Sequence, residues 1–296
     1  MRLSILIPEY NYDCTELVEN LQKQAELCGV EYEIMVADDS SDNKEILHRN
    51  TAISSIPNCS FHMLSPNRGR AFVRNWLMEN ANGEYLLYVD SDAVLCTPDF
   101  IRRYLDCIGR ADVVCGGIVH PDELPSPRVS LRYYYEKGME PRFTARRRNR
   151  NPYGNLRTFN YMIRRTTALQ HSFDISIKRY GYEDTLVGMD FQKNRVSVLH
   201  IDNPLLNGDL EENQVFLAKT QDSLKCLHEI RHKIGSFSRL LVYYRILWLM
   251  LRMDILVAAL FSRTSRRMER HLTTASRPSM LLFQFYKLAY YCRLAR

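Results

Sequence analysis

The stretch EYLLYVDSDAVL, residues 84–95, joins an apolar run to two carboxylates, Asp90 and Asp92. Tyr85 to Val89 is apolar and β-prone, the composition of a strand buried on both faces. Carboxylates at the end of such a strand are costly to bury unless positive charge meets them. Residues i and i+2 of a strand face the same way, so both acids are placed to grip one object. A divalent cation is the first candidate. The other reading is an Asp-rich turn in which Asp92 caps the next segment.

Further polar groups raise the same question. YEIMVADDSSD, residues 32–42, ends a second apolar run in acids. GYED places Glu183 and Asp184 after a glycine turn and before an apolar helix. There they suit the helix dipole, and a carboxylate on a rigid helix start is also a candidate general base. His200 lies near the end of RVSVLHID; a lone histidine is more often structural than a ligand. Residues 141–155, PRFTARRRNRNPYGN, read as an exposed basic loop, either simply solvated or a lid that meets phosphates.

Positioning these groups takes alternating strands and helices. LSILIPEYN (3–11) reads as a buried strand. TELVENLQKQAEL (15–27) has helical spacing with Thr15 as N-cap, and GRAFVRNWLMENA (69–81) is a helix that Gly83 ends. ADVVCGGIV (111–119) is another strand, its glycines allowing close backbone approach. Short links between strands and helices predict an α/β fold with a doubly wound, mostly parallel sheet. Ligands bind beyond the carboxyl ends of such strands, where the polar residues collect here. Neither G-x-G-x-x-G nor G-x-x-x-x-G-K-[ST] occurs, which disfavours dinucleotide and P-loop readings.

The chain has 296 residues, room for one large α/β domain and an appendage. Its eight cysteines are scattered without C-x-x-C spacing, so neither zinc nor a disulfide framework is expected. MRLSILIPEYNY turns polar after a short apolar run and does not read as a secretory leader, so a cytoplasmic location is expected. The net charge of +6 is unevenly spread. From Arg239 onward there are 11 basic and 2 acidic residues, against 29 and 32 before it. A mildly acidic body argues against a nucleic-acid surface and leaves a special role to the tail.

SILIPEYN, VADDSSD, NRGRAFVRN, YLLYVDSDAVL and GYEDTLVGMDF stand in the order seen in family 2 glycosyltransferases of the GT-A fold, which the chain resembles over residues 3–220. The later HIDNPL and LEENQVFLAKT are similar to bacterial members that build surface polysaccharides. The resemblance implies a domain over 1–235, with a nucleotide-sugar half (1–110) and an acceptor half (111–235), and a basic helical tail over 236–296. It implies that Pro8, Tyr10 and Asn11 meet the base and ribose, and that Asp38, Asp39 and Ser40 line the same pocket. Arg70 and Arg74 fall near the diphosphate. Asp90, Ser91 and Asp92 become a D-x-D motif binding Mn²⁺ or Mg²⁺ with the nucleotide, and His200 completes the metal shell. Asp184 becomes the catalytic base, with Glu183 on the acceptor. Relatives often carry a histidine near the position of Asn207. No Q-x-x-R-W signature of processive synthases is present, which implies addition of one sugar or a few. The implied function is inverting, metal-dependent transfer from a nucleotide-diphosphate sugar, UDP favoured, to a glycan or lipid-linked acceptor. The alternatives are a non-catalytic nucleotide-sugar-binding scaffold and a nucleotidyltransferase, which usually shows a Gly-rich basic loop that PEYNYDC lacks.

LLVYYRILWLMLRMDILVAALF (240–261) raises the membrane question. Arg245, Arg252 and Asp254 cut it into runs far below the ~20 residues of a spanning helix. A helix lying in the interface is cheaper, and SRTSRRMERH (262–271) supplies cations for anionic headgroups. MLLFQFYKLAYYCRL (280–294) repeats the theme, with tyrosines expected at the interface. Peripheral association with the inner face of the cell membrane is the expectation. A helical subdomain packed on the body, or a dimer interface, is the alternative.

Overall fold

The computed structural model describes residues 1–177, 179–250 and 252–296. The strands are β1 (Arg2–Glu9), β2 (Glu31–Asp38), β3 (Cys59–Met63), β4 (Tyr85–Val89), β5 (Ala93–Leu95), β6 (Val113–Cys115), β7 (Ile118–Val119), β8 (Asn160–Arg164), β9 (Val198–His200) and β10 (Leu205–Asn207). The helices run α1 (Thr15–Cys28), α2 (Lys44–Thr51), α3 (Arg70–Asn80), α4 (Phe100–Leu105), α5 (Ser130–Lys137), α6 (Ala145–Arg148), α7 (Arg165–Gln170), α8 (Glu183–Lys193), α9 (Asn213–Glu229), α10 (Arg231–Ile234), α11 (Arg239–Leu249), α12 (Met253–Thr274) and α13 (Met280–Leu294). The chain divides into two units. The first is Met1–Val119, Pro141–Ser176 and Val187–Asp209, and the second is His120–Glu140, Ile177–Leu186 and Leu210–Arg296. The expected break at 235 falls inside the second unit.

The first unit holds a mixed, mostly parallel sheet of order β3-β2-β1-β4-β8-β6-β9. β1 to β4 run parallel, β8 runs against β4 and β6, and β9 is parallel to β6. Alternation along the strands sends Ile5, Ile34 and Leu87 to one face and Leu6, Met35 and Leu86 to the other. α1 and α4 cover the first face, and α3 with the later turns of α8 covers the second. Each buried Leu or Ile contributes about 1.5–3 kcal/mol, and covering both faces is what a parallel sheet requires. β5, β10 and β7 form a second, small sheet.

Several sequence expectations change in detail. The strand expected over 111–119 breaks into β6 and β7 at Gly116 and Gly117. A Cβ on Gly117, at φ +107°, would lie 2.1 Å from Arg148 Nη1. Arg148 belongs to the loop expected to be a basic lid, yet it is buried and donates to the Gly116 and Ile201 carbonyls. Thr15 is the first residue of α1 rather than its cap, its own N–H bonded to Asp13. α3 ends at Asn80, before Gly83. Gly83 instead permits close approach, since a Cβ there would lie 2.6 Å from the Ser4 backbone nitrogen.

The second unit is helical. Its core gathers Leu131 of α5, Leu217 and Leu224 of α9, Phe261 and Leu272 of α12, and Phe283 and Tyr286 of α13. Buried Asn213 joins three segments, accepting from Leu131 N–H and donating to the Pro127 and Thr273 carbonyls. The tyrosines expected at a membrane interface, Tyr286, Tyr290 and Tyr291, are buried, so α13 is core. No helix among the described residues is long and apolar enough to cross a membrane. All eight cysteines are free.

Candidate active site

The acids lie at the carboxyl edge of the first unit's sheet, but the hydrogen bonds sort them into different tasks. β4 stops at Val89, and Ala93 N–H donates to Asp90 O across a turn at 3.1 Å. The strand alternation expected to aim Asp90 and Asp92 together therefore does not extend this far. Asp90 is met by arginine: Arg74 Nη2 lies 2.5 Å and Arg70 Nη2 3.0 Å from its two oxygens. Arg74 is buried, so this pair is a desolvated clamp between α3 and the end of β4, and only Arg70 remains half-exposed. The two arginines expected at a diphosphate are thus first the partners of Asp90.

Asp92 is half-buried, as is Ser91. Gly208 N–H donates to Asp92 O, and β10 pairs with β5 so that Asn207 stands opposite Ala93. The Tyr12 phenol is raised above its ordinary value by burial and by the charges of Asp209, Asp92 and Asp13, in that order. Asn207 is buried and its Oδ1 has no hydrogen-bond partner. The turn thus collects Asp92, Asp209 and an orphaned amide oxygen. Asp209 and Asn207 carried no role in the sequence reading. Asp209 is signalled only by the NGD run that follows the DNP stretch, and Asn207 also by lying near the position where relatives often carry a histidine.

The β1 and β2 ends carry a second group of acids. Glu9 lies opposite Asp38 in the parallel register, and both are buried. Burial, followed by the hydrogen bond to Asp38, pushes the Glu9 carboxyl from 4.5 up to about 8, so near neutral pH it holds a proton. Glu9 Oε1 accepts Tyr12 N–H, and Asp38 accepts Ser41 N–H. Asn11, at φ 54°, accepts from the Asp42 and Asn43 N–H groups and donates to Asp42, stapling the two loops. Asp39 is buried and accepts Arg68 and Gly69 N–H at 2.8 Å each, which fixes the loop into α3. Pro8 and Ser40 are half-buried beside them, and Tyr10 is 50% exposed, an open ring for stacking.

His200 sits apart from this cluster's chemistry. It is buried on β9, its Nε2–H donates to Pro152 O at 2.9 Å, and Asn149 brackets its backbone. Burial above all lowers its pKa to about 4, so it is neutral and serves to pin the 149–152 loop. The structure does not gather it with Asp90 and Asp92: among the described residues no three His, Cys, Asp or Glu side chains group to hold an ion. Glu183 and Asp184 open α8 as its first-turn acids, in the second unit. Gly181 and Tyr182 before them are both left-handed, at φ 98° and 71°. The Tyr182 hydroxyl is raised above its ordinary value by burial, while hydrogen bonds to Ser238 and Ser223 oppose the shift.

The glycosyl transferase family 2 model matches residues 4–173, more than half of the chain, so the chain belongs to that family of sugar-transferring enzymes. An uncharacterized glycosyltransferase of Bacillus subtilis strain 168, YfnE, is 30% identical over 118 residues, covering 39% of this chain and 30% of the relative. That matched stretch is less than a third of the relative's length. The mannosyltransferase PcManGT of Pyrobaculum calidifontis, solved with GDP-Man and Mn²⁺, aligns with 99% of this chain and 85% of its own at TM-score 0.60 and 13% identity. TarS residues 1–349 of S. aureus, solved with UDP, aligns with 100% of this chain and 90% of its own at TM-score 0.52 and 19% identity. These likenesses define the fold, of GT-A type.

Proposed function

We propose that the chain transfers one sugar, with inversion, from a nucleotide-diphosphate donor to a hydroxyl of a glycan or lipid-linked acceptor in surface-polysaccharide synthesis. The observation that carries this is the collection of oxygen donors at the carboxyl ends of the strands, with Asp92, Asp209 and the unpartnered Asn207 Oδ1 at one turn and the Glu9–Asp38 pair at another. UDP is the favoured nucleotide and a hexose or N-acetylhexosamine the favoured sugar. TarS has been solved with UDP and with UDP-GlcNAc, and PcManGT with GDP-Man, which supports a nucleotide-sugar donor.

In this reading Tyr10 stacks on the base, the Asp38 carboxyl accepts from it, and Asn11 holds both loops in place. The residues also fit a hard divalent cation, Mg²⁺ or Mn²⁺. Carboxylate and amide oxygens are its preferred donors, and such ions keep water and phosphate ligands instead of a full protein cage. Asp92, Asp209 and Asn207 Oδ1 would hold it, and Asn207 then replaces the histidine that relatives often carry nearby. When bound it would offset the charge that develops on the diphosphate. Asp184 accepts the proton of the acceptor hydroxyl. The acceptor oxygen bonds to the anomeric carbon from the face opposite the diphosphate. The bond to the diphosphate oxygen breaks, and the leaving group takes the electron pair. Glu183 orients the acceptor. The exposed basic stretch that begins at α11 supports work at an anionic membrane face, where a lipid-linked acceptor resides.

Asp184→Asn tests the chemistry. It is expected to keep donor binding and to lower transfer by about 10²-fold or more. Near-normal transfer would assign the base to another residue. A nucleotide-sugar-binding scaffold is the second reading, and the neutralisation of Asp90 by two arginines favours it. It requires donor binding with no turnover of any acceptor.

A further inference from the structure

We propose that the corner between α11 and α12 is a wedge that inserts its apolar tip into an anionic lipid surface. This rests on the membrane reading above and names the element that makes the contact. Ile246, Trp248, Leu249, Met250, Leu256 and Leu260 are all exposed there, Leu249 by 72% and Leu256 by 62%. Apolar side chains gathered in this number on a water-facing surface mark an interaction site.

The arrangement along each helix identifies the partner. On α11 the outward stripe is Arg239, Tyr243, Ile246 and then Met250 just past its end, with the cation farthest from the corner. On α12 it is Met253, Leu256, Leu260, Arg263 and Arg267, again apolar at the corner and cationic beyond. Met253 to Leu260 spans ~10 Å at 1.5 Å per residue. That matches the ~5–10 Å depth to which interfacial helices bury their apolar face, with arginines at headgroup level.

Between 239 and 267 the charged residues are six exposed arginines and Asp254. Asp254 is 1% exposed and accepts from Arg252 Nε at 3.2 Å, so the surface displays only positive charge. Arg252 also lies over the Trp248 ring, 5.5 Å from its centroid, where its long stem can reach back to headgroups. The opposite face of α12, with Ala258, Phe261 and Leu272, is buried in the second unit's core. The outward stripe therefore contributes nothing to that core. A second copy of the chain would set arginine against arginine, whereas an anionic bilayer satisfies both the apolar tip and the cations.

The test uses the full chain with Trp76→Phe, which leaves Trp248 as the sole tryptophan reporter. Vesicles of phosphatidylcholine are compared with vesicles containing phosphatidylglycerol. The expected result is sedimentation with the anionic vesicles only, a blue shift of Trp248 emission, and loss of binding at high salt. Leu249→Glu with Leu256→Glu is expected to lower partitioning by ~tenfold or more while nucleotide binding stays unchanged. Vesicle binding without a Trp248 shift would overturn the corner as the contact and leave the membrane reading standing. Absence of vesicle binding would overturn both. A concentration-dependent dimer that Leu256→Glu dissociates would assign the face to a second copy and overturn the lipid contact.

Discussion

At Asp90 the demand for positive charge is legible in the sequence, while the arginines that meet it are set by the fold. The position of Asp90 at the end of an apolar strand demands positive charge, and the structure supplies it from Arg74 and Arg70, not from an ion alone. Removing Arg74 leaves a buried carboxylate half-compensated. Arg74→Ala is therefore expected to cost about 3–5 kcal/mol, seen as a large fall in the denaturation midpoint. Glu9 carries a second expectation. Its carboxyl is raised in the folded state from 4.5 to about 8, so the unfolded chain releases the proton first as pH rises. The contribution of Glu9 is fully present below pH 4.5 and is lost as pH climbs through about 8. Denaturation midpoints measured across this window should fall, and Glu9→Gln should flatten the trend. An unchanged slope in Glu9→Gln would remove Glu9 as its cause. The motif containing Glu9 was legible in sequence; its proton was not, because the shift depends first on burial in the folded sheet and then on the parallel register that sets it against Asp38.

At the scale of elements, the buried strands were legible because period-two apolar runs bounded by turn residues have few other solutions. β8 was not, since its first four residues are all buried and give no alternation, and its flanks are basic. α13 was misread for a different reason. An apolar-plus-tyrosine helix has the same periodicity whether its partner is lipid or protein, and only packing on α9 and α12 decides. The break between β6 and β7 was visible as two glycines, but the guanidinium packed against them was not. Gly117→Ala would place a Cβ at positive φ within 2.1 Å of Arg148 Nη1. It is expected to cost roughly 1–3 kcal/mol in backbone strain and more through displacement of Arg148. A midpoint equal to that of the unmodified chain would show that Arg148 can move without cost.

For the whole molecule, the fold places three parallel strand ends side by side, so loops distant in sequence share one edge. The alternation of strand and helix was legible, while β10 was not, because it is only three residues of a small second sheet, whose pairing sets Asn207 opposite Ala93, next to Asp92. The second unit adds a charge lattice: His120 bonds Glu136 and Glu140, and Arg132 bonds Glu136 and Glu211. Burial alone would raise Glu136, but the His120 hydrogen bond and the Arg132 charge outweigh it and hold the carboxyl below its ordinary range. Glu136 thus contributes stability above that range, lost as the pH falls through its lowered folded pKa. Glu136→Gln should blunt the acid side of the stability profile, measured by thermal melts from neutral to low pH.

The central claim is that the sheet edge of the first unit binds a nucleotide diphosphate together with a divalent cation. Calorimetric titration of UDP, GDP, CDP and dTDP, with Mn²⁺ and then with EDTA, tests it most directly. One nucleotide, UDP by this account, is expected to bind with Mn²⁺ and to lose most of its affinity in EDTA, and Asp92→Ala should reproduce the EDTA result. Folded protein that binds none of the four, or binds equally without metal, would contradict the account and leave Asp92 a turn residue.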